Sequence, residues 1–273
     1  MPVILCFMCG KNRKRAPEHF FPKWMRKFNP INQTTSINYS TGKKKRRDFG
    51  TFTVNNICET CNSGWMSRLQ DLAKPHIAPL LTTTTWSPLS AEAPAVISNW
   101  AVMTSMVCEA THPRKLYGVS PHERAAFAAN QTAASGWQVW IGRSHHTPNR
   151  GYTHWPWVTL DDADSPVIPL DVDSTTVPVG QYTIMLFGKL IVLALSGHHP
   201  PLQTDTLPSW GMLKLWPEVD VTVNPPPTEF PAQYHERVLF DVLHGKLVSP
   251  LGFAHRPSGT MPIHHAAGLS NRS

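Results

Sequence analysis

The spacing of apolar residues predicts short strands in the first sixty residues, followed by a helix. Residues 1–10 predict a short strand that ends in a turn, and alternating apolar positions over 48–57 predict a second strand. The polar stretch 29–42 between them has no periodicity and predicts a loop. Residues 58–72 carry apolar residues at helical spacing, and the prolines at 75 and 79 are expected to end that helix.

The second part of the chain predicts two helices and then several strands. Residues 96–110 carry an apolar helical face. A further helix begins at Ser120, because Ser at the cap position, Pro121 at the first helical position and Glu123 three residues after the cap agree. Strands are predicted over 136–142 and 152–160, and a β-hairpin is predicted over 181–187 and 190–196, turning at Gly188-Lys189.

These elements predict an α+β protein in two parts. A small N-terminal module spans residues 1–80, and a larger α+β domain of unassigned fold, which mixes helices and strands, spans 85–255. The small and polar residues 256–273 predict a disordered tail.

Composition is typical of a folded globular protein. Of the 273 residues, 41% are hydrophobic and 16% charged, which disfavours a disordered or coiled-coil chain, and 26 prolines favour short elements and loops. No run of eighteen apolar residues is present, so no membrane span is expected. The apolar start has no basic leader and contains cysteines, so the expected compartment is the reducing cytoplasm.

Positive charge is concentrated near the start of the chain. Residues 1–74 hold 14 of the 25 Lys and Arg residues but 4 of the 18 acidic residues, a net charge of +10, whereas the remainder carries −3. Because cations on phosphates release counterions, this concentration favours nucleic-acid binding, most readily to double-stranded DNA. Two basic runs, residues 11–15 and 43–47, supply much of this charge, and a solvated loop is the alternative interpretation of each. The candidate DNA-binding residues are Lys11, Arg13, Lys14, Arg15, Lys43, Lys44, Lys45, Arg46 and Arg47.

Two Cys-x-x-Cys pairs predict a metal site. Cys6 and Cys9 form the first pair, and Cys58 and Cys61 form the second. Zinc prefers four tetrahedral ligands, and four thiolates leave no position for water, so the predicted zinc would be structural. Reduced cysteines packed in a small core are the alternative. Cys108 stands alone on an apolar helical face and is expected in the core.

The motifs around these cysteines resemble a nuclease family. Cys-x-x-Cys is followed by the acid-His-x-x-Pro stretch EHFFPKW and then by ICETCNSGWMSRLQ, in which an asparagine follows the last cysteine. This order over residues 6–72 resembles the HNH endonucleases, whose zinc-stabilised ββα-metal fold it implies for the N-terminal module. More narrowly, it looks like bacterial HNH-type proteins that share the EHxxPKW and CxxCNxGWM segments.

The resemblance also implies a catalytic site. It places the general base at His19 and the ligands of a catalytic divalent ion, Mg²⁺ or Mn²⁺, at Glu18 and Asn62. Oxygen ligands suit such hard cations, and a neutral imidazole can accept a proton near pH 7. The middle asparagine of the family has no clear match, Asn55 and Asn56 being the nearest candidates.

The leading hypothesis is therefore a metal-dependent endonuclease that hydrolyses DNA phosphodiester bonds, with 85–255 supplying specificity, a partner site or a homodimer contact. A zinc module that binds nucleic acid without cutting it is the first alternative. The second is a scaffold or sensor that works through its C-terminal domain. Convergence of Glu18, His19 and Asn62 beside a basic surface would favour the enzyme, whereas scattered or buried side chains would favour the binding protein.

Overall fold

The computed structural model describes residues 2–19, 21–28, 34–38, 44–48, 53–83, 85–111, 117–144, 149–158, 168–169, 180–197, 204–217, 229–230, 239 and 243. Within these residues the protein combines helices with antiparallel sheets, which confirms the predicted α+β class. The predicted tail at 256–273 lies outside the described residues.

Three small two-stranded sheets lie in the N-terminal part. Strand β1 (Val3–Leu5) pairs antiparallel with β2 (Asn12–Lys14), and β3 (Glu18–His19) pairs antiparallel with β6 (Thr53–Val54). Between them in sequence, β4 (Thr34–Asn38) pairs antiparallel with β5 (Lys44–Asp48), and a 3₁₀ helix covers Lys23–Phe28. The expected loop over 29–42 therefore contains a strand. In the expected strand over 48–57, the described strand segments are Asp48, which ends β5, and β6, after which the chain bends.

A long helical segment follows the second cysteine pair. A π-helical turn over Cys61–Met66 leads into helix α1 (Ser67–Thr82), which continues through Pro75 and Pro79. The prediction that these prolines end the helix was wrong. Both prolines lie on the exposed face, so the carbonyls of Asp71 and Pro75, which lose their helical partners, are on the side where water can replace them. Packing of Ile77 and the following leucines on the other face maintains the helix.

Two further helices precede the main sheet. Helix α2 spans Ala93–Glu109, and helix α3 spans Pro121–Asn130. The predicted cap of α3 is confirmed, since the Ser120 hydroxyl accepts a hydrogen bond from the Glu123 backbone N–H at 3.1 Å.

Within the described part of the chain, the main sheet has six strands, and every pairing between them is antiparallel. The predicted hairpin is confirmed. Strand β10 (Gly180–Gly188) pairs with β11 (Leu190–Ser196), with Tyr182 opposite Leu195, and the chain turns at Gly188, whose φ of +57° suits glycine. The spatial order is β12, β7, β11, β10, β8, β9, with bounds β7 (Trp137–Arg143), β8 (Asn149–Val158), β9 (Ile168–Pro169), β10 (Gly180–Gly188), β11 (Leu190–Ser196) and β12 (Met212–Trp216).

Both faces of the central strands are buried. Helix α2 packs on one face of the sheet, and α1 packs against α2. Side chains such as Ile184 and Leu193 on the other face pack in a second buried cluster that includes Trp210 and Phe230. The cluster on the α2 face extends without interruption to the N-terminal cysteines. The division at residues 80–85 stays a prediction, and the buried side chains are continuous across it.

Candidate metal centre and active site

The first cysteine pair lies in the turn that joins β1 to β2. The Gly10 N–H donates a hydrogen bond to the Cys6 carbonyl at 2.9 Å, and Gly10 has a φ of +65°, a conformation that glycine adopts without strain. The Cys6 N–H donates to the Lys11 carbonyl at 3.0 Å, which closes the turn. The second pair lies where the helical segment begins, and Cys58 forms an isolated antiparallel bridge with Arg15, the residue directly after β2. Sequence-local turns and several long-range contacts, including the hydrogen bond from the Phe7 N–H to the Asn56 carbonyl at 2.8 Å, thus bring the two pairs together.

The four cysteines form one cluster. Their Sγ atoms all lie within 4.8 Å of one another, and the Cys6–Cys61 and Cys9–Cys58 sulfur pairs are each 3.9 Å apart. A tetrahedral ion with bonds of about 2.3 Å requires sulfurs about 3.8 Å apart, whereas a disulfide requires about 2.05 Å. The spacing therefore fits a tetrahedral ion, and the cluster could hold a metal ion such as zinc. Cys108 is buried on α2, outside this cluster.

Hydrogen bonding and burial shift the pKa values of Cys6, Cys58 and Cys61. The pKa of Cys6 is lowered to about 4, chiefly by the hydrogen bond between the Cys6 and Cys61 sulfurs, and the same bond raises the pKa of Cys61. Burial raises the pKa of Cys58, whose backbone N–H donates to the Cys6 sulfur at 3.4 Å. A bound cation would displace the remaining thiol protons, since thiolates are the ligating form.

The acid-His motif lies on β3. Glu18 lies opposite Val54 of β6, and both are buried. His19 lies opposite Thr53, and both are half-exposed, so Glu18 and His19 point to different faces of the strand pair. The Glu18 side chain is 4% exposed, and the Gln70 amide donates a hydrogen bond to its Oε1 at 3.0 Å. Burial raises the pKa of Glu18 to about 7, outweighing the opposing effects of Gln70 and of the Lys23 charge.

Asn62 is held against the start of this strand. Its Nδ2 donates a hydrogen bond to the carbonyl of Pro17, the residue directly before Glu18, at 2.9 Å and across 45 positions of sequence. The structure therefore brings the last residue of the predicted motif to the strand that carries Glu18 and His19. It does not place Glu18 and His19 on one face, and the Glu18 carboxylate is not open to solvent.

The first basic run lies beside the same helical start. Lys11, Arg13 and Lys14 are exposed, and Arg15 is half-buried. The Arg13 guanidinium donates to the Thr60 hydroxyl at 3.3 Å, and Lys14 forms an ion pair with Glu59 at 3.2 Å.

For the second basic run, the structure describes the backbone alone. Lys44, Lys45, Arg46 and Arg47 lie in β5, whereas Lys43 lies outside the described residues. Asn55 is exposed and Asn56 is half-buried, and the described contacts link neither side chain to the motif.

Two residues that contact the candidate site could not be identified from a motif or spacing in the sequence. Gln70 belongs to no motif, yet its side chain donates a hydrogen bond to Glu18, 52 residues earlier in the sequence. Arg124 of α3 reaches the β1–β2 turn, which carries the candidate metal ligands Cys6 and Cys9 and is called the metal turn below. Its Nε donates to the Phe7 carbonyl at 3.0 Å, and its guanidinium lies 4.0 Å from the centre of the Phe7 ring. Long-range contacts of this kind follow from the fold and not from local spacing.

Comparisons with protein-family models, curated proteins and solved structures found no match for this chain. Among the described residues, no helix has the length and apolar character that crossing a bilayer requires.

Proposed function

We propose that this protein is a metal-dependent endonuclease of the HNH type that hydrolyses DNA phosphodiester bonds and is stabilised by zinc on its four cysteines. The hydrogen bond from Asn62 to the Pro17 carbonyl carries the proposal. It joins the two halves of the motif at the junction of two antiparallel strands and a helix, next to the cysteine cluster.

The residues of this junction have suitable chemistry for the reaction. His19 is half-buried on β3 and is the group that would accept the proton of the attacking water. Glu18 faces the helical segment that carries Asn62, since Gln70 of that segment contacts its carboxylate. Their oxygen atoms suit Mg²⁺ or Mn²⁺, and such a cation, when bound, would stabilise negative charge on the phosphate.

Charge beside the junction favours a DNA substrate. Arg13 and Lys14 contact Thr60 and Glu59, which directly precede the Cys61-Asn62 pair, so their cationic groups lie near the proposed catalytic residues. Phosphates bound by this run would bring a duplex to the strand that carries His19.

Zinc on the cysteine cluster would hold the junction together. It would connect the β1–β2 turn with the first turn of the helical segment, and therefore fix Asn62, which directly follows Cys61. In this role the zinc is structural and takes no part in hydrolysis.

Plasmid cleavage tests the proposal. The purified full chain is incubated with supercoiled plasmid and Mg²⁺ or Mn²⁺, and His19→Ala is compared with His122→Ala, which changes an exposed histidine on α3. His19→Ala should cleave about 10²–10⁴-fold more slowly while keeping its zinc and its affinity for DNA, because the base acts on water and not on the fold. His122→Ala should cleave like the unaltered protein. Equal activity of both variants would contradict the role of His19.

One observation favours a second candidate, a zinc module that binds nucleic acid without cutting it. Glu18 is 4% exposed and is already hydrogen bonded, as expected of a structural acid. DNA binding by the unaltered protein, without cleavage under any divalent ion, would support this candidate and reject the nuclease.

A further inference from the structure

The Glu18 carboxylate has a specific neighbour. Among the described residues, Gln70 is the one whose side chain donates a hydrogen bond to it, through Nε2 to Oε1 at 3.0 Å. Glu18 is fixed on β3 by its pairing with Val54, and Gln70 is fixed in the first turn of α1, between the buried residues Leu69 and Ala73. The bond therefore connects β3 to α1.

The chemical type of this neighbour matters. A buried carboxylate without a hydrogen-bond partner is costly, so some donor is required. A lysine or arginine would supply one, but its positive charge would compete with a cation for the carboxylate. The glutamine amide is neutral, so it fixes one carboxylate oxygen without adding a positive charge.

We propose that Gln70 is a positioning residue that orients the Glu18 carboxylate for a divalent cation. The inference rests on the proposed function, because it assumes that Glu18 is a ligand of that cation. Residues that hydrogen-bond to a ligating carboxylate fix its orientation, and their loss typically weakens metal affinity about 10–100-fold.

Direct metal binding tests this role without relying on cleavage. The zinc-loaded full chain is titrated with Mn²⁺, and free Mn²⁺ is measured by electron paramagnetic resonance. Gln70→Met, which keeps the length of the side chain but has no donor, should bind Mn²⁺ about 10–100-fold more weakly. Gln138→Met is the matched control, since Gln138 is a half-exposed glutamine on β7 that accepts a hydrogen bond from Trp140, and it should bind like the unaltered protein.

A charged variant separates positioning from mere support of the fold. Gln70→Lys supplies a donor and a counter-charge, so a purely structural need would be met and the thermal midpoint retained. If Gln70 positions Glu18 for a cation, Gln70→Lys should fold but lose Mn²⁺ binding through charge repulsion. This variant also decides the question if Gln70→Met fails to fold.

The outcomes distinguish the inference from the proposed function. If Glu18→Gln weakens Mn²⁺ binding but Gln70→Met and Gln70→Lys do not, the role of Gln70 is overturned and the metal site stands. If Glu18→Gln does not weaken Mn²⁺ binding, or the unaltered protein binds no Mn²⁺, the role of Gln70 and the proposed metal site at Glu18 are both overturned.

Discussion

Replacing Arg124 by methionine should destabilise the protein, because this guanidinium lies buried between the metal turn and the helices. It donates hydrogen bonds to the carbonyls of Phe7 and Val119 and lies 3.5 Å from the carboxylate of Glu109. Glu109 is 0% exposed on α2 and also accepts a hydrogen bond from the Val119 N–H at 3.0 Å. Methionine fills part of the space but leaves this carboxylate without its cation.

The expected magnitude follows from the burial of the pair. Removing one partner of a buried ion pair costs about 3–5 kcal/mol, and the lost contact with the Phe7 ring adds about 0.5–2 kcal/mol. The total is a large fraction of the free energy of unfolding of a typical domain, about 5–15 kcal/mol. Arg124→Met should therefore lower the free energy of unfolding by about 3.5–7 kcal/mol.

The cost should also depend on pH. Burial raises the pKa of Glu109 from 4.5 to about 7, despite the hydrogen bond from Val119 and the charge of Arg124. Because the pKa of Glu109 is raised in the folded state, the folded state binds more protons than the unfolded chain. The free energy of unfolding therefore falls as the pH rises from about 4.5 to about 7, by about 3 kcal/mol in total. Without Arg124 the pKa of Glu109 should rise further, so the decline should continue above pH 7 by up to about 1.4 kcal/mol per pH unit.

Urea unfolding of the zinc-loaded chain, followed by tryptophan fluorescence at pH 6, 7 and 8, measures both effects. The difference between Arg124→Met and the unaltered protein should be larger at pH 8 than at pH 6. Arg68→Met is the control, since Arg68 is exposed on α1 and its loss should change the free energy of unfolding by less than about 0.5 kcal/mol. A difference below about 1 kcal/mol that is equal at pH 6 and pH 8 would refute the reasoning.

Three further predictions concern the metal, the DNA and a helix cap. Cys58→Ser should lower zinc from about one ion per chain to none and unfold the N-terminal part, since structural zinc contributes about 10–16 kcal/mol; Cys108→Ser should keep its zinc, and a folded protein free of zinc would contradict the prediction. Replacing residues 43–47 by serine should weaken binding to all DNA sequences alike and reduce the slope of log K against log salt by about 0.9 per lost phosphate contact, as measured by fluorescence anisotropy; an unchanged slope would mean that the run contacts no phosphate. Ser120→Ala should lower the free energy of unfolding by about 1 kcal/mol, because the Glu123 N–H loses its acceptor; an unchanged urea midpoint would contradict this.

Features set by local spacing could be predicted from the sequence. The cap at Ser120, the hairpin of β10 and β11 and the grouping of four cysteines each depend on residues close in sequence or on a repeated two-residue spacing. In each case the chemistry of a turn or a ligand set leaves few alternatives.

Features that depend on packing could not be predicted from the sequence. The continuation of α1 through Pro75 and Pro79 depends on which face of the helix is exposed, and that face becomes known only in the folded chain. The same holds for the burial of Glu18 and its bond to Gln70. The motif identified Glu18 as a candidate ligand. Gln70, whose side chain donates a hydrogen bond to Glu18, lies 52 residues away and has no spacing signal.

The continuous core would give a metal ion on the four cysteines a wider role than stabilising residues 1–80. Phe21 packs edge-on against Phe187 of the main sheet at 4.7 Å between ring centres, and Trp65 packs against Phe127 of α3 at 5.7 Å. Arg124 adds a hydrogen bond from α3 to the turn between the first two cysteines. Each of these contacts has one partner in the N-terminal part and one in the sheet or helices, so we expect them to weaken together if the metal turn opens. Metal binding should therefore stabilise the sheet and α3 as well as residues 1–80, and chelation should lower the protection of their amides against hydrogen exchange.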